Sequence, residues 1–348
     1  MSTPLPNLRE PPPGDASVPA AKSQPLRIRS DGTARRSTTA PATPATVVPT
    51  RARLVLAFAA IYLIWGSTYL GIRVAIETIP PFLMASARFV IAGLTLFAIL
   101  RLRGSAWPSA RQWRANAIIG ACLLLGGNGL VVWAQQFVPS GVTALLIGAG
   151  PLFIVATEWA WPGGSRPTLV TLGALLLGFA GVTWLAAPWQ SGPGAIAPAG
   201  IVAILGACVS WSIGSIYSRH ARHGAEPLVS ASLQMICGGA GLILIAWAHG
   251  DFGQLNLSAV SVRSWTAFSY LVLAGSLVGF STFVWLMKHS TPARVSTYAY
   301  VNPIVAVFLG WLVLGEPITP RTLIASTIIL ASVALITTQS ARSTRLKD

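Results

Sequence analysis

The chain has 348 residues, of which 53% are hydrophobic and 9% charged, and its net charge is +15. Soluble domains carry about a quarter charged residues, so this composition excludes a water-soluble globular protein. The basic excess does not describe a nucleic-acid surface either, because Arg and Lys lie in the N-terminal tail and in short gaps between apolar runs, the placement that the positive-inside bias produces.

Residues 1–50 are rich in Pro, Ala, Ser and Thr, as in "APATPATVVPT", and eight basic residues occur up to Arg53. No apolar core precedes Leu54, so a cleaved signal peptide is not expected. Polar residues follow Arg35-Arg36, which argues against an export signal there. The composition predicts a disordered cytoplasmic tail.

Apolar runs long enough to cross a bilayer core of roughly 30 Å then recur at 54–76, 82–100, 115–137, 142–161, 168–187, 198–218, 228–248, 267–287, 293–314 and 321–338. The expectation is an all-α membrane protein of ten transmembrane helices. An even number puts both termini on one side. With that side inside, 20 of the 24 basic residues fall in inner segments, only Arg263 and Arg321 fall in outer ones, and Arg73 and Arg88 lie within spans. This asymmetry predicts cytoplasmic termini, including a short tail at 339–348.

The chain also repeats itself. A shift of 146 residues lays Trp65 on Trp211, Arg73 on Arg219, Pro81 on Pro227, Ser86 on Ser232 and Gly93 on Gly239; a shift of 152 lays Trp133 on Trp285, Pro151 on Pro303 and Trp159 on Trp311. Two five-helix repeats are therefore expected, at 54–187 and 198–338. Five is odd, so the second copy enters the membrane from the opposite side. Inverted repeats are a recurring plan of secondary transporters, in which two copies rock about a site between them.

The first hairpin carries Arg73, Glu77 and Arg88 inside or beside apolar runs. Ionised residues at such depth are costly and usually functional; both arginines lie roughly 10 Å below the outer boundary at 1.5 Å per residue. Arg73 and Glu77 are four apart and are expected to pair. Arg88 has no acid at i±3 or i±4, so Glu77 across the hairpin, a substrate anion or water must meet it. The equivalent position of the second copy is Gln234. Glu158, near the inner end of the fourth span, is a candidate proton carrier or a partner for Arg294.

Polar and aromatic residues inside spans complete the candidate substrate site: Ser67, Thr68, Asn128, Gln135, Ser215, Tyr298, Tyr300 and Asn302, with Trp65, Trp133, Trp211 and Trp285 at symmetric positions. Interfacial belts put Trp at span ends, so these four rings either line a cavity or pack helices. Pro151 and Pro303 each free a backbone carbonyl, which marks a hinge or a water-lined wall. "GGNG" (126–129) follows no strand and serves helix contact rather than phosphate binding. Cys122, Cys208 and Cys237 stand alone as packing residues. His220 and His223 are too few for zinc. No cofactor, metal or catalytic set is expected, and the expected partners are a small-molecule substrate and the lipid bilayer.

"IYLIWGSTYLGIRVAIETIPPFLMASARFVIAGLTLF", "GNGLVVWAQQFVPSGVTALLIGAGPLF" and "YAYVNPIVAVFLGWLVLGEPIT" resemble stretches of EamA-type transporters of the drug/metabolite transporter superfamily, over about residues 54–338. The resemblance implies a bacterial inner-membrane carrier that exports amino acids, related metabolites or toxic compounds. Glu316, in "LGEPIT", belongs to the signature and reads as a cap or loop charge. Exported small metabolites lead, because a carrier of cationic drugs should place an acid near the cavity centre and the first span has none. A membrane-embedded enzyme or a channel is the alternative of another class.

Overall fold

The computed structural model describes residues 50–345, except 165, 187–195, 222–223, 291 and 296. The N-terminal tail expected at 1–50 lies outside the described residues but for Thr50. No strand occurs among the described residues. Among the described residues, nine helices are long and apolar enough to cross a membrane: α1 (Arg51–Ala75), α2 (Pro81–Leu102), α3 (Ala110–Ala134), α4 (Ser140–Ala160), α5 (Leu169–Ala186), α6 (Pro198–His220), α7 (Pro227–His249), α8 (Val262–Met287) and, after the shorter apolar helix α9 (Tyr298–Leu314), α10 (Pro320–Arg345). Large apolar side chains such as Leu63, Val202 and Leu244 are 61%, 68% and 67% exposed. Apolar patches of this extent are not left to water; they face lipid.

Local chemistry fixes the helix starts. Proline occupies the first turn of α2, α6 and α7 at Pro81, Pro198 and Pro227, where its missing N–H costs nothing and its φ is already helical. Ser109 and Gln112 form a reciprocal capping box at α3, which satisfies two otherwise orphaned donors. Gly315, with φ +66°, ends α9 in the left-handed region that glycine enters without penalty.

Two helices carry a widened turn that the sequence patterning does not reveal. Ala121–Asn128 of α3 and Leu271–Val278 of α8 are π-helical. Each absorbs extra chain and turns the side chains beyond it, a feature frequent at functional sites. α4 breaks at Ala149, between Ser140–Gly148 and Gly150–Ala160, whereas α9 runs through Pro303 without a break. A helix break thus accompanies Pro151 but not Pro303.

The packing pairs α2 with α7, α5 with α10, α1 with α9, and α4 with α6. Where α2 crosses α7, glycines bring the backbones together. A Cβ on Gly93 would lie 2.9 Å from the Ile236 amide nitrogen and the Met235 Cβ, and a Cβ on Gly239 would lie 3.0 Å from the Val90 amide nitrogen and 3.3 Å from the Phe89 Cβ. These two contacts interchange under the 146-residue shift. Gly148 meets Pro303 in the same way, with 2.7 Å between a built Cβ and the ring, so the broken helix α4 lies directly on the proline of α9.

Candidate transport site

The charges of the first hairpin do not pair as their spacing predicts. Arg73 donates from Nη1 to the backbone carbonyls of Gln135 and Gln136, at 3.2 Å for the latter. Those carbonyls end α3, where a helix leaves acceptors unmet and a cation is favoured. Glu77 instead faces Arg263, 3.6 Å away, with both side chains well exposed. Such a pair is worth at most about 1 kcal/mol. The Arg73–Glu77 pair is thus corrected: the helix terminus outcompetes an exposed carboxylate one turn along.

Acids at the same end of the bundle hold helix N-termini. Glu316 accepts from the amides of Ser140 at 2.6 Å and Gly141 at 2.9 Å, the first residues of α4. Asp251, fully buried, accepts from the Leu83 amide of α2 at 2.9 Å and meets His249 at 2.6 Å. Glu316 is therefore a cap for a helix in the other half of the chain. Replacing it with Ala should lower stability by about 1–3 kcal/mol, since it leaves two donors of α4 unmet. Thermal unfolding in detergent checks this, and an unchanged midpoint would remove the cap from the account.

Arg88 has a different environment. It is 5% exposed, and its Nε donates to Ser276 Oγ at 3.0 Å. Its guanidinium carbon lies 4.9 Å from the Phe89 ring centre. No carboxylate lies within salt-bridge distance, and its two Nη groups have no hydrogen-bond acceptor among the described residues. Arg88 Nη2 and Thr68 Cγ2 both approach Gly275 so closely that a Cβ there would lie 3.2 Å from each. Next to Thr68 on α1, Ser67 meets the Tyr270 hydroxyl at 2.6 Å. α1, α2 and the π segment of α8 thus converge on one guanidinium with unspent donors.

Trp65 packs beside this point in an aromatic cluster, with ring centres 5.8 Å from Phe280, 5.2 Å from Phe283 and 5.1 Å from Tyr298. Trp285 belongs to the same apolar group and stacks on His289 at 4.4 Å. The other two symmetric rings lie elsewhere. Trp133 packs on Phe137, and Trp211, 38% exposed, covers Gly127. Four rings around one cavity are therefore not what the bundle contains.

The remaining candidates divide likewise. Asn302 is buried near Gly66, and its Oδ1 has no hydrogen-bond partner among the described residues. Gln135 is fully buried; its Nε2 donates to the Tyr69 carbonyl at 3.0 Å while its Oε1 is unpartnered. Gln234 donates to Asn116 at 2.9 Å, Asn128 to the Leu123 carbonyl at 3.4 Å, and Tyr300 to the Val333 carbonyl at 3.2 Å. Ser215 bonds back to the Trp211 carbonyl at 2.7 Å. Glu158 is bound by Arg219 at 2.9 Å rather than by Arg294, because α4 and α6 end side by side. Tyr270, Gly275, Ser276, Phe280 and Phe283 were not among the candidates. Tyr270 and Ser276 carried the same signal as Ser67 and Thr68, a polar residue within an apolar run.

Among the described residues, no group of His, Cys, Asp and Glu could hold a metal ion. The chain belongs to the EamA-like transporter family, which it matches over residues 52–187 and 198–338. It is 34% identical over 281 residues to the uncharacterized inner membrane transporter YedA of Escherichia coli K12, covering 80% of this chain and 88% of that one. It is 27% identical to the uncharacterized transporter YvbV of Bacillus subtilis, with 84% and 93% covered. A solved crystal structure aligns with a TM-score of 0.58 at 23% identity, over 84% of this chain and 99% of that one, a likeness of fold. The protein is a membrane transporter and not an enzyme.

Proposed function

We propose that this transporter is a ten-span inner-membrane carrier that exports small metabolites bearing an anionic group, such as amino acids or related compounds, by alternating access. The observation that carries the substrate charge is Arg88, 5% exposed and facing no acid among the described residues. An unpaired buried cation is costly, and a carboxylate received on its free Nη groups offsets that cost only while substrate is bound. The inverted-repeat reading, with halves at 54–187 and 198–338, is supported by the interchangeable Gly93 and Gly239 contacts and by the paired π segments. The inner-membrane location is supported by the name of the Escherichia coli relative.

Purified protein in proteoliposomes, offered a substrate panel with and without a proton gradient, tests this. Counterflow of anionic metabolites is the expected result; a flux that preloading does not accelerate means a pore. Orientation has its own test in a background lacking Cys122, Cys208 and Cys237. Single cysteines at the exposed positions Ser109 and Ser258 should label from opposite sides, Ser258 from the periplasm. Labelling of both from one side sinks the topology and the alternating-access reading with it.

A further inference from the structure

At the arginine-rich end of the bundle a cleft of about 680 Å³ opens between α3, the end of α4 and the end of α6. On α3 it is lined by Arg111, Arg114, Ala115 and Ile118; across from them lie Tyr217 and His220 of α6, and Trp161 at the end of α4. Positions 111, 114 and 118 are three and four apart, so they form one stripe of the helix. The stripe changes character along its length. Arg111 and Arg114 are exposed at the start of α3, while Ile118, 46% exposed, lies about 10 Å further along the axis from Arg111. Ala121 continues the same exposed face, and on α6 the exposed Ile213 lies one turn beyond Tyr217. The Trp161 and His220 rings stack at 6.0 Å, 22° from parallel, and close the cleft towards α4. Among the described residues no acid lines it, and nearby Glu158 is held by Arg219.

We propose that this cleft seats the headgroup of an anionic phospholipid. The two guanidiniums hold the phosphate, which matches their planar donors. Trp161 and Tyr217 sit at the depth where amphipathic rings meet headgroups. The exposed apolar surface of Ile118, Ala121 and Ile213 takes the acyl chain. A soluble anion would use the arginines alone; the cation-to-apolar progression along α3, with Ile213 beyond Tyr217 on α6, fits an amphiphile. Basic pockets between spans bind anionic headgroups through this charge complementarity.

The probe is phosphatidylglycerol against phosphatidylcholine, presented in equal amounts to the purified full chain and read by native mass spectrometry. The wild type should retain phosphatidylglycerol with a preference of about tenfold, and Arg111→Gln/Arg114→Gln should bring this to about twofold or less. The double variant Arg51→Gln/Arg103→Gln removes the same charge from exposed residues outside the cleft and should keep the preference. If Arg111→Gln/Arg114→Gln does not fold, Arg114→Gln alone should lower the preference about threefold. Equal loss in both double variants, or no preference in the wild type, overturns the site. Displacement of the lipid by millimolar inorganic phosphate overturns its assignment to a lipid.

Discussion

Arg88→Gln is expected to abolish most of the affinity for anionic substrates while the bundle stays folded. Hydrogen bonds to charged groups contribute about 1.5–3 kcal/mol each, so losing a two-pronged carboxylate contact raises the apparent KM at least about a hundredfold. The maximal rate should change little, because the interaction removed binds substrate. The direction of the stability change separates this from a structural role. In the absence of substrate Arg88 is a buried cation whose recorded hydrogen bond is to Ser276 and which faces no acid among the described residues. Gln at that position mirrors Gln234 of α7, and its unfolding midpoint should equal or exceed that of the wild type. A lowered midpoint with unchanged KM would falsify the substrate role and leave Arg88 as a strut between α2 and α8.

Gly93→Leu and Gly239→Leu should each disrupt the bundle, and by similar amounts. Any Cβ at Gly93 meets the Ile236 amide nitrogen at 2.9 Å, and at Gly239 the Val90 amide nitrogen at 3.0 Å. Backbone cannot move aside as a side chain can, so α2 and α7 must separate. Overpacking a filled interior costs about 1–3 kcal/mol for modest additions, and four added carbons at a backbone contact should cost about 3 kcal/mol or more. Folded yield and thermal unfolding in detergent report it. Gly173→Leu is the control, because a Cβ there meets nothing within 4 Å. A wild-type midpoint for Gly93→Leu removes this crossing as a close backbone contact of the two halves. A large effect at one glycine and none at the other counts against their symmetric use.

Much of this protein was legible in its linear order. Helix existence follows from apolar length, since a bilayer admits few alternatives, and the helix starts at Pro81, Pro198 and Pro227 follow from proline's missing donor. The repeat was legible because Gly93 and Gly239, as well as Pro81 and Pro227, keep one offset. The isolation of Arg88 on its own helix could be read from i±3 and i±4 spacing. Where each charge finds its partner could not. Spacing along one helix favoured Arg73 with Glu77, but the carbonyls ending α3 compete for that arginine and are reached only once α1 and α3 pack. Glu316 and Asp251 cap helices 175 and 168 residues away in the chain. Ser276 and Gly275 reach Arg88 through a widened turn in α8 that has no periodic signature. Secondary structure in a membrane is dictated locally, by hydropathy and backbone hydrogen bonding. The buried polar contacts are settled by which helix ends and glycine faces meet, and only the tertiary packing decides that.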